Sequence, residues 1–145
     1  MMKIFNKFTA IIFLLVLLST IYSNQLLIIT HKDNSTKSLS SRDLRLIYLR
    51  KKSFWEQSQP IIPVLSKDVS AHLKFVKQKL YMEPMQFFRY INNAKYSGRK
   101  KPLQSFSSAG SVIEYVNKTP GSIGYILEDS ELIKNFPIKI LDIID

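Results

Sequence analysis

The residues best suited to chemistry in this sequence lie where an apolar segment gives way to an expected helix. They are Ser66, Lys67, Asp68, Val69, Ser70, Ala71 and His72, here called the 66–72 loop. The first backbone N–H groups of a helix have no partner within the helix and carry partial positive charge. An oxyanion placed there accepts several hydrogen bonds. Ser70 adds a hydroxyl donor, while Lys67 and His72 add charge, His72 only when protonated.

A second interpretation of the same loop needs no ligand. Asp68 or Ser70 can cap the helix with its own side chain, a role that Asp and Ser fill very often. Residue types alone leave a cap and a cap with a bound anion equally supported. The sequence therefore predicts a capped helix start here, with or without a bound anion.

A second group of cations follows a later helix, in the segment from Tyr96 to Pro102. It contains Arg99, Lys100 and Lys101 beside Gly98. Glycine and positive charge are typical of a helix C-terminus, where they match the negative end of the helix dipole, so a structural role is favoured. Arg99 remains a candidate source of charge for a bound oxyanion.

Several kinds of functional site lack the residues they need in this sequence. It holds two histidines and no cysteine, and it lacks acidic clusters at ligand spacing, so a transition-metal site and a disulfide framework are unsupported. None of the four glycines forms a phosphate loop of the Walker type, and no serine lies in a GxSxG turn. We therefore expect no enzyme activity and no cofactor.

The positive charge is concentrated in one part of the chain. Residues 32–101 hold 16 Lys or Arg against 5 Asp or Glu, whereas residues 102–145 hold 3 against 6. Such a basic region attracts anions, whether small oxyanions, lipid headgroups or nucleic acid. The alternative is that the lysines form an ordinary solvated surface.

The N-terminus has the order of a secretory signal peptide. Lys3 and Lys7 precede an unbroken apolar run from Ala10 to Leu18, and small polar residues follow up to Ser23. The run is shorter than the roughly 20 residues that span a membrane. Residues 1–23 are predicted to be a signal peptide, with an uncleaved anchor as the alternative. Export to the periplasm makes nucleic acid the least suitable partner.

Residues 24–145 are predicted to form one α/β domain. Strands are expected at 26–30, 60–65, 122–127 and 138–143, and helices follow Ser40, the 66–72 loop, Glu83 and Ser111. Ser40 with Asp43, and Ser111 with Glu114, have the spacing of capping boxes. Helical periodicity predicts apolar stripes at Val69, Leu73, Val76 and Leu80, and at Phe87, Phe88, Ile91 and Ala94. Alternating strands and helices favour a mixed sheet flanked by helices.

Three segments resemble a known family, the phosphate ABC transporter solute-binding proteins. Residues 119–125 read TPGSIGY, identical to that family's segment, and residues 39–64 are similar to its "LS, DLR, IFLGK, W, I-PV" pattern. Tyr96 to Arg99 with Pro102 is similar to the "FSGR, P" signature of its short members. The resemblance runs from about residue 26 to residue 127 and implies a single lobe of the type 2 periplasmic-binding-protein fold.

The resemblance also implies a place for the ligand. The family's phosphate loop, R-S-D-G-S-G-T, falls on the 66–72 loop, with Asp68 and Ser70 retained, and with Ser66, Ala71 and His72 replacing the arginine, the second glycine and the threonine. A guanidinium grips an oxyanion with two parallel hydrogen bonds, whereas neighbouring Lys67 supplies only a point charge.

Two functions follow from these observations. The first is an exported solute-binding protein that holds phosphate or another oxyanion weakly. Its expected partners are a membrane transporter or sensor, or a second copy of the chain in a homodimer. The second is an interaction module of the same fold that has lost the ligand and docks on a membrane protein or an anionic surface. The replaced arginine favours the second.

Overall fold

The computed structural model describes residues 11–12, 24–98 and 100–145. The strands are β1 (Leu26–His31), β2 (Ser38–Ser40), β3 (Ile62–Ser66), β4 (Gln104–Phe106), β5 (Ser122–Leu127) and β6 (Ile138–Ile144). The helices are α1 (Ser41–Tyr48), α2 (Val69–Lys74), α3 (Pro84–Tyr96), α4 (Ala109–Lys118) and α5 (Ser130–Asn135). A π-helical segment, Phe75–Lys79, continues α2.

All six strands belong to one mixed sheet in the order β2-β6-β1-β5-β3-β4. β1 lies antiparallel to β5 and β6, whereas β3 is parallel to both of its neighbours, β4 and β5. The predicted mixed α/β sheet is confirmed. Its two three-residue edge strands, β2 and β4, were not predicted because three residues are too few to show an alternating pattern.

Helices cover both faces of the sheet, and each face has its own core. On β1, Ile28 packs into the core formed by α1, α2 and the π-helical segment, while Ile29 faces α4. Alternate strand residues point to opposite faces, so one strand serves both cores. The result is a three-layer α/β/α arrangement in which α2 and α4 lie on opposite sides of the sheet.

Side-chain caps begin most of the helices. Ser40 accepts a hydrogen bond from the Asp43 amide at 3.0 Å, as the sequence predicted for α1, and Pro84 occupies the first turn of α3. The predicted capping box of Ser111 with Glu114 is wrong. Ser108 is the N-cap of α4, and it exchanges hydrogen bonds with Ser111 in a reciprocal box that starts three residues earlier.

One predicted apolar stripe is displaced from the observed core. Val69 is 69% exposed and Leu73 40% exposed, whereas Ala71 and Phe75 are buried along with the correctly predicted Val76 and Leu80. The π-helical segment adds a residue per turn, so a periodicity of 3.6 residues does not follow the buried face. In α3, Phe87 is buried as predicted, but Phe88 is exposed.

The TPGSIGY segment is shaped by two glycines. Gly121 has a φ of +83°, and a Cβ there would lie 2.3 Å from the carbonyl oxygen of Pro60. A Cβ on Gly124 would meet Val112 at 2.9 Å, so the absence of a side chain lets α4 approach β5 closely. Trp55 fixes the same turn by donating its indole N–H to the Gly121 carbonyl at 3.0 Å.

The predicted signal peptide, residues 1–23, lies almost wholly outside the described residues. Within the part that is described, no helix combines the length and the apolar character needed to cross a membrane. The predicted domain boundary at residue 24 stays a prediction.

Candidate functional site

The 66–72 loop lies at an edge of the sheet where two parallel strands end side by side. β3 ends at Ser66, which pairs with Phe106 at the end of β4, and the Lys67 amide donates to the Phe106 carbonyl at 2.8 Å. The helices that follow these strands, α2 and α4, leave toward opposite faces of the sheet. In an open α/β sheet, ligands usually bind outside the carboxyl ends of the strands at such a divergence.

Two backbone amides of the loop already donate to side chains of the loop itself. The Ser66 hydroxyl accepts from the Asp68 amide at 3.1 Å. The Asp68 carboxylate in turn accepts from the Ala71 amide at 3.1 Å, which makes Asp68 the N-cap of α2. The capping interpretation is therefore correct for Asp68. It also places a negative charge at the start of the helix.

Two amides of the loop remain available. In the described part of the chain, the N–H groups of Val69 and Ser70 have no hydrogen-bond acceptor. Both residues are exposed, as is Lys67. The loop thus presents two backbone donors, one hydroxyl and one ammonium group to solvent, with the Asp68 carboxylate beside them.

His72 is held from below by a tyrosine of β5. Its Nδ1 lies 2.7 Å from the Tyr125 hydroxyl, which also accepts from the Ser66 amide at 3.1 Å. Partial burial lowers the pKa of His72, and deeper burial raises the pKa of Tyr125 well above its ordinary value. His72 is therefore neutral at neutral pH and offers the loop no fixed positive charge.

The predicted site residues differ in how far they are exposed to solvent. Lys67 and Ser70 are exposed, Asp68 is half-buried, and Ser66 and Ala71 are buried. Ser66 contacts the Asp68 amide and the Tyr125 hydroxyl. Ala71 donates its amide to the Asp68 carboxylate, and neither Ser66 nor Ala71 has its side chain exposed to a ligand in solvent. Arg99 falls outside the described residues, so its part in the site stays a prediction.

Tyr125 is the residue at this site that sequence reasoning missed. It lies 53 positions from His72, so no local spacing connects the two. The signal in the sequence was only indirect. Tyr125 ends the TPGSIGY segment, and both that segment and the 66–72 loop correspond to segments of the same family. The structure joins these two segments through a single hydroxyl group.

One cation of the second group, Lys100, lines a separate cavity of about 590 Å³ between the end of α1 and α3. Leu49, Tyr90 and Ala94 contribute apolar surface, and Arg50, Lys51 and Lys100 contribute charge. Lys100 Nζ contacts the Arg50 carbonyl oxygen, and Arg50 Nη1 donates to the Lys101 carbonyl at 3.3 Å.

Arg50 itself adopts an unusual backbone conformation. Its φ is +62° at the end of α1, the position where the resembling family has the glycine of IFLGK. A side chain in this left-handed region costs roughly 1–2 kcal/mol. Arg50 therefore places its charge at the cavity at a conformational cost that glycine would not have.

The fold is shared with solved phosphate-binding proteins. An ABC-type phosphate transport receptor from Vibrio cholerae superposes with a TM-score of 0.58 at 17% identity, over 81% of this chain and 45% of its own. PstS from Borrelia burgdorferi gives 0.57 at 20% identity, over 81% and 46%. A protein described as a phosphate ABC transporter substrate-binding protein from Clostridium perfringens, solved with bound phosphate, gives 0.59 at 19% identity, over 81% and 44%.

These likenesses confirm the expected fold, that of a lobe of a periplasmic binding protein. The chain spans less than half the length of each of these neighbours. No protein-family model matches the chain, and no curated protein is significantly similar to it in sequence.

Proposed function

We propose that this chain is an exported binding protein, not an enzyme, that holds phosphate or a similar oxyanion weakly at the 66–72 loop. The observation that carries the proposal is the pair of unpartnered amides, Val69 and Ser70, just beyond the carboxyl ends of β3 and β4. The Ser70 hydroxyl supplies a third donor on the same helical turn. The shared fold with phosphate-binding proteins supports an anion as the ligand.

Weak affinity follows from three features of the loop. The anion is covered on one side only, so much of its hydration shell stays in place. The arginine of the family's loop is replaced by Ser66, and the neighbouring Lys67 supplies only a point charge. The Asp68 carboxylate repels a dianion. A dissociation constant of about 1 mM corresponds to roughly −4 kcal/mol.

A second surface would improve the site by covering the solvent-exposed side of the 66–72 loop. We propose that a second copy of this chain or a membrane transporter or sensor supplies it. The exposed Val69 at the start of α2 and the exposed Phe88 of α3 are apolar surface that such a partner would cover.

Titration of the purified full-length chain with phosphate and with sulfate tests the oxyanion proposal. Amide chemical shifts suit affinities of about 1 mM. We expect the largest shifts at Val69 and Ser70, and a weakening of about fivefold in Ser70→Ala, the equivalent of one hydrogen bond of about 1 kcal/mol.

Ser130→Ala is the matched control, because Ser130 is also an exposed serine in the first turn of a short helix capped by aspartate. Its affinity for both anions should equal that of the wild type. If the Val69 and Ser70 amides do not move with either anion, the oxyanion proposal fails.

A second candidate function is docking on an anionic membrane surface. The observation that favours it is the cavity between α1 and α3, where Arg50, Lys51 and Lys100 have no carboxylate partner among the described residues. Lys or Arg near an anionic bilayer contributes about 1 kcal/mol each. An exported protein would meet such a surface.

Vesicle sedimentation separates the two functions. Double replacement Lys51→Gln and Lys100→Gln should release the protein from phosphatidylglycerol vesicles, and salt should do the same. Lys134→Gln, on α5, is the control for lost charge alone. Ser70→Ala should bind vesicles normally, and equal loss in all these variants would contradict docking at this cavity.

A further inference from the structure

The Tyr125 hydroxyl forms the floor of the 66–72 loop. It is fully buried and lies within hydrogen-bond distance of two groups of the loop, the Ser66 amide at 3.1 Å and His72 Nδ1 at 2.7 Å. The Tyr125 ring is itself fixed by stacking on Phe75, with centroids 3.8 Å apart. One side chain therefore contacts both ends of the loop from a rigid position on β5.

The two contacts together favour one arrangement of the protons. An amide N–H can only donate, so the Tyr125 oxygen must accept from Ser66. The hydroxyl proton is then free to be donated, and His72 Nδ1 is within reach as an acceptor. An Nδ1 that accepts is unprotonated, so the neutral ring carries its proton on Nε2.

We infer that Tyr125 is a positioning residue that holds the 66–72 loop in place and fixes His72 as the neutral Nε2–H tautomer. His72 thereby presents a hydrogen-bond donor at its partly exposed edge and no charge. The role in anion binding rests on the proposed function above, but the tautomer and its cause do not.

The surroundings of His72 agree with a neutral ring. From α3 it meets the apolar Phe87, with ring centroids 5.9 Å apart, and from β5 it meets Tyr125. The ionisable groups of its own segment are Asp68, one turn earlier, and Lys67. Protonation would turn Nδ1 into a donor, and the Tyr125 oxygen would then receive two hydrogen bonds while its own proton lost its acceptor. The neutral ring is therefore the form that satisfies every group.

The ring nitrogens of His72 can be observed directly by NMR of the ¹⁵N-labelled full-length chain without ligand. His72→Gln assigns the signals, because the sequence has only two histidines. At neutral pH we expect the pattern of an Nε2–H ring whose Nδ1 accepts a hydrogen bond. A protonated ring, or an Nδ1–H tautomer, overturns the inference whether or not any anion binds.

Tyr125→Phe removes the hydroxyl and keeps the ring. We expect a mixture of tautomers, because the hydrogen bond that kept Nδ1 unprotonated is gone. Tyr48→Phe is the matched control. Tyr48 is equally buried in the same aromatic cluster, but its hydroxyl donates to the carbonyls of Val64 and Ile123 and does not touch the loop.

The same two variants test the link to anions by phosphate titration. Tyr125→Phe should weaken phosphate binding about tenfold, whereas Tyr48→Phe should lower stability and leave the affinity unchanged. Equal weakening in both variants would show a merely structural role and overturn the positioning of the anion site. If the wild type shows the Nε2–H tautomer but no response to phosphate, the proposed function fails and the tautomer result stands.

Discussion

Replacing Asp68 by asparagine should increase the affinity of this chain for a dianion. Asn caps a helix about as well as Asp, so the hydrogen bond to the Ala71 amide is kept while the negative charge is removed. An anion on the Val69 and Ser70 amides lies within the same helical turn, about 5 Å from that carboxylate. The variant therefore separates the cap from the charge.

The size of the effect follows from Coulomb's law. A single charge and a dianion about 5 Å apart in water repel each other by about 1.7 kcal/mol. At physiological ionic strength the Debye length of about 8 Å reduces this to about 1 kcal/mol. Asp68→Asn should therefore strengthen sulfate binding about fivefold at physiological salt, and about tenfold or more at low salt.

Sulfate is the suitable ligand because it is a dianion at neutral pH and carries no proton to donate. The assay is a shift titration of the Ser70 amide at two salt concentrations, with stability followed by urea unfolding. Asp129→Asn is the control, since Asp129 caps α5 by accepting from the Glu131 and Leu132 amides. Both variants should lose less than about 1 kcal/mol of stability.

An unchanged affinity for sulfate in Asp68→Asn would refute the electrostatic reasoning, because it would place the anion beyond the reach of the carboxylate. A loss of affinity for phosphate alone in Asp68→Asn would also refute the electrostatic reasoning. It would mean that Asp68 accepts the proton of hydrogen phosphate, an attractive contact that sulfate cannot make.

Two further predictions concern stability, measured by urea unfolding. Gly98→Ala, at φ +65° with open space around it, should cost only the left-handed penalty of about 1 kcal/mol, whereas Gly121→Ala also meets the Pro60 carbonyl and should cost about 3 kcal/mol or more. Because the pKa of His72 is lowered, the unfolded chain binds more protons than the folded one below the ordinary value of 6.5, so stability should fall as pH drops through that value. His72→Gln should flatten this fall, and equal slopes would contradict it.

The longer elements of the fold could be predicted because each is specified by its own residues. The apolar run that became β1 and the cap at Ser40 are local signals that tertiary contacts did not override. β2 and β4 could not be predicted, since their pairing is decided by β6 and β3, which lie far away in the sequence. The capping box was placed one turn too late because Ser108, Ser111 and Glu114 share the same three-residue spacing.

The apolar face of α2 shows a different limit. Periodicity assumes 3.6 residues per turn, and the π-helical segment after Lys74 breaks that assumption without any proline or glycine to announce it. Buried Phe75 packs on Tyr125 and edge-on to Tyr48, so the aromatic cluster sets the register of this segment. The same packing brings His72 to the Tyr125 hydroxyl. The wrong stripe and the missed site residue thus have one physical cause.

The 66–72 loop explains why residue types alone left capping and anion binding equally supported. Both roles use the same few amides, and a short helix start has only four to share. Asp68 occupies the amide of Ala71 and leaves those of Val69 and Ser70, so the cap both stabilises α2 and opposes the ligand. The opposition comes from the negative charge of Asp68 and not from its hydrogen bond to Ala71, because asparagine would keep that bond and remove the repulsion. The weak binding that we propose is therefore in part a consequence of the charge on the capping residue, and the increase expected for Asp68→Asn measures that repulsion directly.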